Sequence, residues 1–168
     1  MKSEVIRDQQ QLMNESEPSC EESTRRVLIL RVASLRLGVF EDEIATVAEW
    51  RKPTPLPHAP AAVLGVVSIQ GRMLTVMDPW VLLGETKSSA AYSPTHIVAL
   101  HGDEQLALAT ECAEETVEIS KDDIQAPAQK TTAVFGLVRQ GDQEIYVLQV
   151  KELFPAAIKG RERRRRRF

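Results

Sequence analysis

Three histidines, two cysteines and two acidic clusters are the residue types in this 168-residue chain that could perform catalysis or hold a metal. His58 lies in a proline-rich stretch, while His96 and His101 bracket the apolar run 97–100. Five residues separate those two, an odd number, so on a strand they face opposite sides and share no metal site. Cys20 and Cys112 form no C-x-x-C pair and have no histidine beside them in sequence. Cys112 reads as a structural thiol, with a dyad formed through space left open. Glu41-Asp42-Glu43 and Asp122-Asp123 lack the D-x-D-x-D-G pattern of a calcium loop and read as solvated turns or helix starts. Gly65, Gly71 and Gly84 are too dispersed to cradle a phosphate, and no nucleotide-binding or nucleophile-elbow motif occurs. The expectation is therefore a protein without enzymatic activity, cofactor, metal or small-molecule substrate.

Charge is the sharper feature. The net charge is -3. Residues 161–168 hold six Arg and one Glu; removing that +5 from -3 leaves -8 on the first 160 residues. The five adjacent arginines from Arg163 to Arg167 suit an anionic partner, either nucleic acid or anionic membrane. Such binding is the alternative function, and a plain solubilising tail is the bland one. Residues 1–24 are acidic and aperiodic, so both ends are expected to be disordered. The reading is thus a 1–24 acidic leader, a folded unit over 25–159, and a 160–168 basic tail. Hydrophobic residues make up 43% and charged residues 27%, as in a soluble globular protein. No apolar run is long enough to span a membrane, no signal peptide is visible, and so few cysteines suit the cytoplasm.

Strand signals dominate the folded part. Val27-Leu28-Ile29-Leu30 precedes Leu35 and Leu37, with a turn expected within residues 31–34. Residues 41–47 read as one helical turn or the start of a strand. Pro53, Pro55, Pro57 and Pro60 exclude a helix or central strand. Residues 63–69 and 72–77 read as a hairpin closed by Gln70-Gly71. Asp78 then reads as the N-cap of a short helix with Pro79 in its first position.

A shift of 71 positions brings apolar residues into coincidence. Val27 falls on Val98, Ile29 on Leu100, Leu35 on Leu106, Leu37 on Leu108, Gly65 on Gly136, Val76 on Val147 and Leu82 on Leu153. Each half then holds about five short strands and one helical turn, and five strands curl readily into a small barrel. The predicted fold is all-β: two five-stranded SH3-like barrels sharing one hydrophobic core, with short helical turns. Ile69, Val76, Leu108, Val138 and Leu148 are expected along the shared face.

Val47-x-Glu49, the loop Pro55-Leu56-Pro57-His58-Ala59-Pro60, then residues 63–72 (Val-Leu-Gly-Val-Val-Ser-Ile-Gln-Gly-Arg) and Val76-Met77-Asp78 form a pattern that resembles the CheW-like family. The resemblance covers roughly residues 26–155. It implies the paired-barrel fold and a signalling adaptor that couples the cytoplasmic tips of methyl-accepting chemoreceptors to the regulatory domain of a CheA-type histidine kinase. A chemotaxis, motility or pili pathway would suit it. By the same resemblance Val47, Glu49, Ser68, Gln70 and Arg72 would contact partners. Each has a plainer alternative: core burial for Val47, ordinary surface charge for Glu49 and Arg72, turn closure for Gln70. Ser68-Ile69-Gln70-Gly71 stands where the family usually has Asn-Leu-Arg-Gly, so a permanent charge and a bidentate fork are missing at Gln70. Thr75 replaces a usual Pro, Thr110-Glu111 a Val-Asp, and Leu148-Gln149 a Leu-Asp.

Overall fold

Residues 27–30 and 35–40 close into the hairpin β1 (Thr24–Val32) and β2 (Leu35–Phe40), with Val32 opposite Leu35 across a two-residue turn. The computed structural model describes residues 24–84, 92–102, 104–128 and 131–165, with side chains through Lys159. A 3-10 turn at Glu41–Glu43 redirects the chain into β3 (Ile44–Glu49), so residues 41–47 hold both a helical turn and the start of a strand. After the proline stretch come β4 (Val63–Ile69), β5 (Arg72–Met77) and α1 (Pro79–Leu82). Asp78 caps α1 by accepting from the Trp80 N–H at 3.0 Å, with Pro79 in the first position, where its missing donor does no harm. The second half supplies β6 (His96–Leu100), β7 (Leu106–Thr110), β8 (Cys112–Ser120), β9 (Val134–Gln140), β10 (Gln143–Leu148) and α2 (Val150–Arg165).

The strands form two five-stranded mixed sheets. Sheet A has the order β8-β1-β2-β10-β9 and sheet B the order β3-β6-β7-β5-β4. Replacing each strand by the one five places along converts one order into the other. The internal repeat therefore relates the sheets, but each half of the chain gives its first two strands to one sheet and its last three to the other. The offset of 71 holds in fine detail beyond residue 54. Thr54 bridges Val66 as Gln125 bridges Leu137. The Asp78 N–H bonds Ala62 O as the Gln149 N–H bonds Ala133 O. In the first hairpin the offset fails. Val27 and Ile29 face sheet A's own core, whereas Val98 and Leu100 face the core between the sheets. Gly38 pairs with Val147 while Ala107 pairs with Val76, an offset of 69.

Alternation along the strands fills three clusters. One is shared by both sheets and the helices, and includes Leu30, Leu37, Met77, Leu108, Leu148 and Leu153. Val67, Ile69, Leu74 and Val76 lie inside sheet B, and Ile29, Val138, Ile145 and Val147 inside sheet A. Edge residues Ile119 of β8 and Val138 of β9 meet in one cluster, so the sheet curls on itself; Ala48 of β3 and Val67 of β4 do the same in sheet B. Of the five residues expected on the shared face, only Leu108 and Leu148 lie there. Ile69, Val76 and Val138 point into their own barrels because successive side chains on a strand alternate faces.

The second half also ends in sixteen helical residues rather than one turn. Val150, Leu153 and Ala157, spaced three and four apart, anchor α2 in the shared core. Lysine and arginine, good helix formers, carry it on despite the donor lost at Pro155 and the low helix propensity of Gly160. Helical backbone reaches Arg165, into the 160–168 tail expected to be disordered, and Thr24 of the expected 1–24 leader already belongs to β1; residues 1–23, the side chains from 160 on and residues 166–168 lie outside the described residues.

Candidate functional site

All five predicted contact residues are brought to sheet B, on two elements. Val47 and Glu49 sit on edge strand β3, opposite Val98 and His96, and both are exposed. Val47 is 41% accessible, which excludes core burial for it. Ser68, Gln70 and Arg72 are exposed on the β4–β5 hairpin, with Ser68 opposite Met73 and Ile69 opposite Arg72. Gln70 and Gly71 have φ of 50° and 76°, the double left-handed pair of a tight hairpin turn, so Gln70 does close the turn while keeping its amide outside.

The chain between these elements joins them. Arg51 Nη1 donates to the carbonyl of Ser68 at 3.4 Å, and Thr54 exchanges backbone hydrogen bonds with Val66 at 2.8 and 2.9 Å. Gly65 makes that approach possible. A Cβ there would stand 2.2 Å from Thr54 O, and its φ of +147° lies outside the range other residues favour. Gly136 serves the repeat's counterpart, where a Cβ would meet Ile124. Trp50 packs half-buried against sheet B's core, and Trp80 half-buried against the shared one.

Two residues belong to this face that motif reasoning missed. Met73 is 59% exposed, the most exposed large hydrophobic side chain among those described, and Arg51 lies on the Ser68 carbonyl. The alternation Met73-out, Leu74-in, Val76-in is readable in the sequence once the strand is placed. Arg51 carries no such signal, since its contact crosses from one strand to another.

Sheet A has its own concave feature, a cavity of about 780 Å³ between the β1–β2 and β9–β10 turns, lined by Arg31, Arg36, Glu114, Arg139 and Gln143 among others. Its central charges satisfy one another. Arg36 pairs with Glu114 at 2.6 Å and also donates to Gln143, and Arg139 pairs with Glu144 at 3.3 Å. Tyr92 donates to Asp78 at 2.8 Å, and burial beside that carboxylate pushes its phenol well above the ordinary range. These groups are engaged in structure. Among the described residues no group of three or more His, Cys, Asp or Glu is placed to hold a metal, and no helix is long and apolar enough to cross a membrane.

Two curled five-stranded mixed sheets related by strand exchange define the scaffold. A family model described as CheW-like domain matches residues 13–157. The chain belongs to the CheW-like family. The chain is 29% identical over 101 residues to the protein named chemotaxis protein CheW from Rhizobium meliloti (strain 1021), a match covering 60% of this chain and 65% of that protein. It thus spans about 65% of the length of that curated relative. The crystal structure of scaffolding protein TtCheW from Thermoanaerobacter tengcongensis superposes with a TM-score of 0.68 at 19% identity, covering 77% of this chain and 87% of that one. That likeness establishes the same fold.

Proposed function

We propose that this chain is a cytoplasmic adaptor that couples chemoreceptor tips to a CheA-type histidine kinase, in chemotaxis or a related motility or pili pathway. Family membership supports the receptor–kinase coupling role in general terms. The observation that carries the reading to particular residues is the exposure of Val47 and Glu49 on a sheet edge, with Arg51 just beyond that strand reaching the Ser68 carbonyl on the hairpin that carries Gln70 and Arg72. An apolar side chain ringed by polar ones suits a docking surface. Two curled lobes around a common core give a rigid body that meets several partners at once, so modest interfaces add through avidity. Gln70 keeps hydrogen-bonding capacity at the turn but brings no fixed charge, which marks a divergent member.

The test is titration calorimetry of the purified protein against two probes encoded in the same genome: the regulatory domain of the kinase and a receptor cytoplasmic hairpin. Binding to both, weakened by Gln70→Ala or Arg72→Glu, is expected. Binding to neither would remove the adaptor role; binding unchanged in both variants would move the contact surface elsewhere.

A further inference from the structure

Helix α2 leaves the body with a charge opposite to the body's own. Its last core anchor is Ala157, Ile158 and Lys159 are exposed, and helical backbone continues through Arg165. At a rise of about 1.5 Å per residue, that end stands about 12 Å along the axis beyond Ala157. Residues 161–168 carry +5 against -8 on the first 160, and Glu162 is the one acid among them. At about 100° per residue, positions 161, 163, 164 and 165 spread over more than half of the helix circumference, and residues 159–167 hold no apolar stripe. Arg161 precedes Arg164 and Arg165 by three and four positions, spacings at which like charges weaken a helix until a counter-charge neutralises them.

We propose that this end of α2 binds the phosphates of double-stranded DNA, entering the major groove without reading its sequence. A helix about 10–12 Å across fits a groove about 12 Å wide, whose phosphate walls meet cations on both sides. A flat anionic membrane would meet one side only, and an interfacial helix needs the apolar stripe that is missing here. The corresponding groove of double-stranded RNA is too narrow. Guanidinium groups grip phosphate oxygens through paired N–H donors. The acidic body is repelled by the same phosphates. Its offset of about 12 Å exceeds the screening length of about 8 Å at physiological salt, which confines contact to the basic extension. DNA binding is a function separate from the adaptor role and does not rest on it.

The probe is a fluorescent DNA duplex of about 20 base pairs, titrated with the full-length protein and followed by anisotropy. With about five phosphates neutralised, affinity should fall roughly 500-fold between about 50 and 200 mM salt, a logarithmic slope of about -4.5. Duplexes of unrelated sequence should bind alike, and a single strand with the same number of phosphates more weakly. Deleting residues 161–168 should abolish binding. Arg164→Gln with Arg165→Gln, which keeps helix propensity and leaves the core untouched, should flatten the slope by about 1.8. If the deletion loses its native spectrum, that double variant decides, and an unchanged slope in it counts against the proposal. Vesicles of equal parts phosphatidylglycerol and phosphatidylcholine should fail to displace the duplex at equal anionic charge. No duplex binding at about 50 mM salt, binding that survives in a folded deletion variant, a single strand bound as tightly, or displacement by the vesicles would each overturn it.

Discussion

The hydroxyl of Thr110 lies 2.8 Å from the carbonyl oxygen of Arg31, joining the end of β7 in sheet B to β1 in sheet A. Thr110 is fully buried, and its hydroxyl is also 3.0 Å from the Cys112 carbonyl. The chain changes sheets at this point, so a polar side chain replaces the apolar one usual in the family and binds the crossover to the neighbouring lobe.

Thr110→Val should therefore destabilise the fold, but modestly. Arg31 O still accepts from the Glu111 N–H at 3.0 Å, so no carbonyl is orphaned there. A loss of about 1 kcal/mol is expected in urea unfolding. No measurable loss would mean that the hydroxyl does not link the sheets.

Gly65→Ala should be much the worse of two glycine substitutions. Its new Cβ would strike backbone at Thr54 O, at a φ that strains any side chain. Gly136→Ala would strike mainly the Ile124 side chain, which can move. Losses of about 3 kcal/mol or more, against about 1–2 kcal/mol, are expected from denaturation midpoints. The reverse order would contradict the close approach of the Thr54 segment.

Glu43 should make stability depend on acidity. Burial raises its carboxyl above the ordinary value of 4.5, opposed by Arg25 and Lys151 and reinforced by Asp42, and its Oε2 is buried without a hydrogen-bond partner. The protonated form is the one the fold prefers. Its contribution is complete below the unfolded value and disappears as pH rises through the raised folded value. Glu43→Gln, which mimics that form, should be more stable than wild type at neutral pH and equal to it in acid. A stability difference that stays constant across this range would refute the assignment.

Val47→Asp should separate contact from core. Since Val47 faces solvent, stability should change by no more than about 0.5 kcal/mol, while kinase or receptor binding falls at least tenfold. Val98→Asp, at the fully buried position across the strand pair, should unfold the protein. If Val47→Asp unfolds the chain as well, the residue belongs to the core.

Much of this was legible in residue types. The β4–β5 hairpin, its Gln70-Gly71 turn and the Asp78-Pro79 helix start follow from local rules, because each depends on neighbours only a few positions away. The matching of Gly65 to Gly136 is readable because both positions admit an incoming backbone bridge and tolerate little else.

What local rules could not decide is which surface a strand's side chain meets. Val76 and Met77 are both apolar and both buried, yet one fills a barrel and the other the seam between barrels. The same limit hid the exchange of strands between halves and put Val27 and Val98 in false correspondence. Exposure of Val47 and Met73 is likewise non-local, since a side chain is open only if no distant element covers it. Arg51 became part of the face because the chain crosses from β3 to β4. Composition and spacing therefore determined the elements and their repeat; three-dimensional packing alone decided which of their faces are left for another protein.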